Sequence, residues 1–143
     1  MQIESLEWNL FDAGAQRKDG KSRPSCLLRI RTDGGVEGYS LTGYNPDRFG
    51  GLDGEELSEQ FNEYVVGKNA LAREAIWDDL RAEKIPLNLI NAIDIALWDL
   101  WGRSENKPVH ALLGTRRERV KVYVSTKFNL GTPEEYGDYA RQV

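Results

Sequence analysis

The sequence contains few of the residues that build disulfides and histidine-rich metal sites. Its 143 residues include one cysteine, Cys26, and one histidine, His110. A single cysteine excludes an internal disulfide, and a single histidine cannot supply a histidine-rich metal centre. Cys26 lies in a segment that alternates apolar and polar residues, which predicts an inert, buried thiol. We expect His110 to be structural.

The sequence also lacks an excess of positive charge and any long apolar run. The formal net charge is -4 and the isoelectric point is near 5.1, which argues against nucleic acid or an anionic membrane as the main partner. The first residues, Met1 to Ser5, carry no basic region, and no apolar stretch follows them. We therefore expect no signal peptide, no membrane contact and a cytoplasmic location.

Sequence motifs of several binding classes are missing. Val66-Gly-Lys-Asn69 lacks the upstream glycine and the Ser/Thr of a phosphate-binding P-loop, and Gly50-Gly-Leu-Asp-Gly54 does not have the dinucleotide pattern. The four tryptophans are accompanied by no basic stripe, so they fit core packing better than base stacking. Nucleotide binding is not indicated.

The most apolar stretch of the chain is Pro86 to Trp101, which predicts a core helix buried on more than one side. Gly102 is expected to end this helix in the left-handed conformation. Asp94 and Asp99 lie on it, about 140° apart around its axis, so they do not form a catalytic carboxylate pair. We expect them to pair with backbone and basic groups.

The preceding residues predict an α+β domain with a small sheet. Because 40% of the residues are hydrophobic and 29% are charged, one domain with a real core is expected. The pattern predicts strand Ile3–Leu10, a cationic loop over Phe11–Pro24, a β-hairpin around Asp33-Gly34-Gly35, a glycine-rich loop over Thr42–Gly54, and helices from Glu55 and from Ala70. The expected architecture is a three-stranded antiparallel sheet followed by a helical bundle.

The last residues predict the beginning of a second unit. Arg119 to Ser125 has the pattern of a strand, and Thr132-Pro-Glu-Glu135 is a capping box that starts a helix running to Val143. That helix carries apolar residues but has nothing in the sequence to pack against. We predict a domain over residues 1–115 and a truncated second domain over residues 116–143.

Three motifs in order resemble one known family. They are Ala92-Ile-Asp-Ile-Ala-Leu-Trp-Asp99, Pro108-Val-His-Ala-Leu-Leu-Gly114 and Val120-Lys-Val-Tyr123. Together they resemble the N-terminal capping domain of the enolase superfamily, in its mandelate racemase and muconate lactonising enzyme branch. The chain has Thr115 where that family usually has glycine, and Asn106 where glycine is frequent.

The resemblance implies a capping domain that covers the mouth of a β/α barrel. In such enzymes a base removes the proton α to a carboxylate, and Mg2+ stabilises the resulting ene-diolate. The metal ligands and the acid/base groups come from barrel strands, and a barrel needs about 250 residues. We therefore expect no catalytic residue and no metal ligand in this chain, whose residues 116–143 would supply only the first barrel strand and part of the first barrel helix.

The resemblance also implies substrate-binding residues on two loops, Phe11–Pro24 and Thr42–Gly51, and at the end of the first barrel strand. On this basis Arg17 and Lys18 would recognise polar or carboxylate groups, Tyr44 and Asn45 would make polar contacts, Phe49 would exclude water, and Ser125 and Thr126 would contact the ligand. The residues alone favour another interpretation, in which the basic pair is a solvated loop tip and the two aromatic residues anchor their loop.

The predicted function is the substrate-capping part of a Mg2+-dependent acid dehydratase, racemase or epimerase, with a sugar-acid dehydratase preferred. The expected partners are a small carboxylate-bearing substrate and the missing barrel, and a homo-oligomer is compatible with the sequence. The chain would be inactive alone, as a fragment of an enzyme. The sequence therefore leaves open whether the chain itself is an enzyme. The alternatives are a non-catalytic binding or assembly module that docks through Tyr136, Tyr139 and Val143, and one half of a split enzyme.

Overall fold

The computed structural model describes residues 1–16, 22–45, 47, 49–123 and 131–142. Its elements are β1 (Ile3–Gln16), β2 (Ser22–Thr32), β3 (Glu37–Gly43), α1 (Gly54–Val65), α2 (Arg73–Ala82), α3 (Leu87–Ser104), α4 (Val109–Leu112) and α5 (Pro133–Gln142). The predicted order of three strands followed by helices is confirmed.

The three strands form an antiparallel sheet in the order β1-β2-β3. On β2, Cys26, Leu28 and Ile30 are all buried, because alternate residues of a strand point to the same face and that face meets the helices. The turn at Asp33-Gly34-Gly35 is confirmed: the Gly35 N–H donates to the Thr32 carbonyl oxygen over 2.8 Å, and Gly35 has φ +76°. Glycine is favoured there because a side chain strains this conformation.

The prediction of a loop over Phe11–Pro24 was wrong at both ends. β1 continues to Gln16 and β2 begins at Ser22, with Phe11 opposite Ser25 and Asp12 opposite Pro24. A backbone ladder needs no apolar period, and Phe11 and Asp12 are exposed, so the sequence pattern could not reveal these strand ends. Residues 17–21 lie outside the described part of the chain.

Helix α1 covers the outer edge of β1 with polar side chains. Asn62 Oδ1 accepts a hydrogen bond from the Leu6 N–H and Ser58 Oγ accepts one from the Trp8 N–H, both over 2.8 Å. Side-chain acceptors thus satisfy edge donors that would otherwise be open to pairing with another strand. The helix fixes the path of β1 in this way.

Helix α3 lies across the inner face of the sheet and supplies much of the core. Its fully or nearly buried residues are Leu89, Ile90, Ala92, Ile93, Ala96, Leu97, Leu100 and Gly102. Close contact with β3 depends on Gly38, where an added Cβ would lie 2.2 Å from the Ala96 carbonyl oxygen. The expected pairing of the two acidic residues is confirmed: Asp94 accepts from Arg73 Nη1 over 2.7 Å, and Asp99 accepts from the Tyr39 N–H over 2.9 Å.

The left-handed residue that ends this helix was predicted at Gly102, four residues too early. Gly102 is helical, and the left-handed residue is Asn106, with φ +51°. The Lys107 N–H donates to the Gly102 carbonyl oxygen over 2.8 Å and the Asn106 N–H to that of Arg103 over 3.1 Å, which is a Schellman termination. Gly102 is needed for a different reason, since an added Cβ would lie 2.8 Å from the Lys107 carbonyl oxygen.

The strand predicted over Arg119–Ser125 is not formed in the residues that the structure describes. Residues 119–123 pair with no described strand, and residues 124–130 lie outside the described part. A parallel barrel strand needs neighbours on both sides, and the described residues supply none. The capping box before α5 is confirmed by the Thr132 N–H, which donates to Glu135 Oε2 over 2.7 Å. Val143 lies outside the described part.

None of the helices that the structure describes is long and apolar enough to cross a membrane.

The buried thiol of Cys26 leads to a prediction about chemical labelling. Burial raises the pKa of this thiol to about 11, and the residue is fully buried. Because the thiolate is the reactive form, iodoacetamide at pH 8 should label the folded protein far more slowly than the urea-unfolded protein. Mass spectrometry of timed samples measures both rates. Equal labelling rates would contradict the burial of Cys26.

Candidate functional site

The segment after β3 lies at the same end of the sheet as the beginning of β2. Leu10, Cys26 and Thr42 lie side by side on the three strands, and the chain leaves β3 just beyond them. The Tyr44 N–H donates to the Pro24 carbonyl oxygen over 2.9 Å, so the segment after β3 begins against the start of β2. The fold therefore places residues 44–53 beside the distal end of the β1–β2 hairpin.

Tyr44 holds both ends of its segment together. Its hydroxyl donates to the Leu52 carbonyl oxygen over 2.9 Å, and its half-buried ring lies 5.0 Å from that of Phe49, centroid to centroid. The bond joins Tyr44, at the start of the segment, to Leu52 near its end. Tyr44 thus has a structural role, and its predicted contact with a substrate stays a prediction.

Phe49 lies in the hydrophobic core rather than on the surface of the loop. Only 2% of its surface is exposed, and its ring meets the Trp8 ring edge to face at a centroid distance of 5.9 Å. Aromatic pairs in this arrangement are favourable because the positive edge of one ring faces the negative face of the other. The described structure thus gives Phe49 the packing of a loop anchor, and its role as a water-excluding wall stays a prediction.

Asn45 is exposed, and its side chain shapes the turn that follows. Its Oδ1 accepts from the Asp47 N–H over 2.9 Å, while its carbonyl oxygen accepts from the Phe49 N–H over 3.1 Å. Such local bonds are typical of turns initiated by asparagine. Gly50 and Gly51 follow with φ +68° and +76°, conformations that favour glycine. Hence Asn45 is exposed at the start of this turn.

The end of this loop depends on a capping box that our sequence analysis missed. Asp53 Oδ1 accepts from the N–H groups of Glu55 and Glu56, and Glu56 Oε2 accepts from the Asp53 N–H over 2.8 Å. The sequence signal was the acidic residue followed three positions later by glutamate at the start of α1. Asp53 therefore fixes the loop to the helix.

Removing the Tyr44 hydroxyl should loosen the loop without changing its packing. We expect Tyr44→Phe to lower the free energy of unfolding by about 1 kcal/mol, because the Leu52 carbonyl loses its donor. Urea unfolding measures the change, with Tyr123→Phe as the control, since Tyr123 is 87% exposed. An unchanged Tyr44→Phe protein would show that the bond to Leu52 contributes nothing.

The other predicted site residues lie outside the described part of the chain. These are Arg17, Lys18, Ser125 and Thr126. Of the predicted set, the structure brings together Tyr44, Asn45 and Phe49. In residues 1–16, 22–45, 47, 49–123 and 131–142, no group of three or more His, Cys, Asp or Glu side chains is placed to hold a metal ion.

Comparison with known proteins identifies the family of the chain. The family model described as "Mandelate racemase / muconate lactonizing enzyme, N-terminal domain" matches residues 8–114. A D-galactonate dehydratase from Variovorax paradoxus is 34% identical over 105 residues, which are 68% of this chain and 26% of that protein. A D-galactarolactone cycloisomerase from Agrobacterium fabrum is 26% identical over 141 residues, which are 93% of this chain and 35% of that protein.

A solved structure agrees with these relatives. The D-glucarate dehydratase from Agrobacterium tumefaciens, complexed with magnesium, superposes with a TM-score of 0.69 and 26% identity, covering 99% of this chain and 41% of that one. The chain thus spans about a quarter to a third of the two curated relatives. It belongs to the mandelate racemase/muconate lactonizing enzyme family of the enolase superfamily, as that family's N-terminal domain.

Proposed function

We propose that this chain is the substrate-capping part of a larger Mg2+-dependent enzyme that removes the proton α to the carboxylate of a sugar acid. A dehydratase is preferred over a racemase or an epimerase. The observation that carries the proposal is the family match over residues 8–114, together with the 34% identity to a D-galactonate dehydratase. A cytoplasmic location is part of the proposal.

The loop at the end of the sheet supports a role in substrate selection. Residues 44–53 are closed by the Tyr44–Leu52 bond, anchored by Phe49 and fixed to α1 by Asp53. A cap of this kind can present polar groups such as Asn45 without reordering the loop each time a ligand binds, which lowers the entropic cost of binding. We propose that Tyr44, Asn45 and Phe49 form or support one wall of the substrate site, with Arg17, Lys18, Ser125 and Thr126 completing it.

Magnesium belongs to the proposal only as a cofactor of the complete enzyme. The relative of known structure is complexed with magnesium, and bound Mg2+ can stabilise the negative charge that develops when a proton is lost next to a carboxylate. The described residues hold no suitable cluster of ligands. No residue of this chain is therefore proposed as a metal ligand or as an acid/base group.

The test is an assay of the complete protein and of the 143-residue chain side by side. Each is incubated with D-galactonate, D-glucarate and a set of other sugar acids, with Mg2+ or with EDTA, and the 2-keto product of water loss is measured. The proposal predicts Mg2+-dependent product from the complete protein and none from the short chain. Turnover by the short chain alone would contradict it, as would no reaction of the complete protein with any acid. Activity regained on mixing the chain with a separate barrel would favour a split enzyme.

A further inference from the structure

One side of α3 carries large apolar residues that are exposed. Among its residues 87–101, the exposed positions are Leu87, Asn91 and Ile95, spaced by four so that they form a single stripe. Leu87 is 51% exposed and Ile95 is 56% exposed. The half-buried Trp98 continues the same side. We call these four residues the outer stripe.

Helix α1 shows what a solvent-facing side looks like in this protein. The exposed positions of α1 are Glu55, Glu56, Glu59, Gln60 and Glu63, all of them polar. Exposed single apolar residues are common, but two large aliphatic side chains and a tryptophan on one stripe of an otherwise buried helix are not. The described residues cover α3 with the sheet, with α2 and with α4, and they leave Leu87 and Ile95 exposed. The outer stripe therefore fits a surface that another part of a protein covers.

The course of the chain after α3 indicates where that cover comes from. Gly102 lies seven residues after Ile95, two turns along the same side of the helix. It is covered by the outgoing chain: a Cβ at Gly102 would lie 2.8 Å from the Lys107 carbonyl oxygen and 3.5 Å from Val109 Cγ2. The chain thus begins to cover the outer-stripe side of α3 as it leaves the domain, and Leu113 beyond it is 63% exposed.

The small size of the stripe favours an attached domain over a second copy of the chain. A stable interface between separate proteins buries about 800 Å2 on each partner, which two aliphatic side chains and part of a tryptophan do not approach. A domain joined through the chain avoids most of the entropy cost of association and can pack on a smaller surface. The matched family is described as an N-terminal domain, and the curated relatives are three to four times as long as the matched region.

We propose that the outer stripe is the surface on which the domain following residue 143 packs in the longer protein. This inference rests on the proposed function in one respect, namely that such a domain exists. It adds the residues through which the cap is held: Leu87 and Ile95 as the apolar contacts, and Trp98 beside them. Arg73 and Trp101 keep Trp98 in place: the Arg73 guanidinium carbon lies 3.9 Å from the Trp98 ring centroid, and the Trp101 ring stacks on Trp98 with the centroids 5.2 Å apart.

Hydroxyl-radical footprinting read by mass spectrometry tests the proposal without using activity. Labelling of Ile95 is compared between the 143-residue chain and the complete protein. Val66, which is 43% exposed at the end of α1, is the control, because α1 lies at the opposite edge of the sheet. Labelling of Ile95 should fall by about five-fold or more in the complete protein, since a covered side chain loses most of its contact with water, while Val66 should change little.

A pair of variants gives an independent readout. Ile95→Lys should lower the melting temperature of the complete protein and leave that of the 143-residue chain unchanged, and Val66→Lys should change neither. Equal labelling of Ile95 in both proteins would overturn the proposal, as would a 143-residue dimer that Ile95→Lys converts to a monomer. A protected Ile95 in a complete protein that turns over no sugar acid would support the packing surface and contradict only the proposed function.

Discussion

Replacing Gly38 with alanine should destabilise the domain by about 3 kcal/mol or more, because α3 can make room for the added Cβ only by giving up part of its packing on the sheet. The added Cβ would lie 2.2 Å from the Ala96 carbonyl oxygen and 2.6 Å from the Leu100 backbone nitrogen. Both are backbone atoms of a helix packed on the sheet, so the clash cannot be relieved by rotating a side chain. Either α3 shifts as a whole or the strand bends.

Urea unfolding followed by circular dichroism measures this effect, and β3 itself supplies the control. Gly43 lies on the same strand, and an added Cβ there would meet no heavy atom within 4 Å. Gly43→Ala should therefore change the free energy of unfolding by no more than about 0.5 kcal/mol. If Gly38→Ala were as stable as Gly43→Ala, α3 would not lie against β3 as described.

Replacing Phe49 with alanine should have the second largest effect, about 3 kcal/mol of lost stability. The ring is buried between Trp8 and Tyr44, with centroid distances of 5.9 and 5.0 Å. Its removal leaves a cavity beside Trp8 and takes away the contact that Phe49 makes with the core. We expect the loop to exchange its amide hydrogens faster in the variant, even where the rest of the domain remains folded.

Phe11→Ala is the matched control, because Phe11 is 43% exposed on the outer part of β1. This change should cost about 1 kcal/mol, because only part of the Phe11 ring is covered. Calorimetry and hydrogen exchange on both variants separate loss of anchoring from loss of an exposed ring. If Phe49→Ala cost no more than Phe11→Ala, Phe49 would not anchor the loop, and a role on its surface would gain support.

Much of the fold could be predicted because buried apolar residues recur in the sequence with the period of a strand or a helix. Cys26, Leu28 and Ile30 alternate on β2, and all three are buried as predicted. Leu57, Phe61 and Val65 recur at helical spacing on α1 and are likewise buried. Each of these residues faces one continuous core, so its position in the sequence is tied to one side of its element.

The wrong predictions concern segments that have no such periodic pattern. Residues 11–16 and 22–24 belong to strands that pair through a backbone ladder, and such a ladder needs no apolar period in the sequence. Gly102 carries two signals at once, since a glycine near a helix end suits either termination or close packing. In the structure Gly102 serves close packing, because it lies against the backbone carbonyl oxygen of Lys107. No side-chain pattern in the sequence reveals a contact with a backbone atom.

The candidate site was less predictable than the fold. The sequence marks Tyr44 and Phe49 as aromatic residues in a glycine-rich loop, but it does not show whether each ring points to the core or to a ligand. The described structure gives Tyr44 a bond to Leu52 and gives Phe49 a place beside Trp8. Both contacts join residues that are distant from each other around a loop or along the chain, and they become visible only once the sheet is assembled.

The intact mass of the protein in its native source tests the central proposal most directly. The 143-residue chain has a mass of 16.2 kDa, whereas a cap followed by a barrel of about 250 residues would have a mass of about 40 kDa. Our account predicts a mass near the larger value, with peptides of this chain at its N-terminal end. A native mass of 16.2 kDa would contradict the proposal that the chain caps a barrel in the same polypeptide.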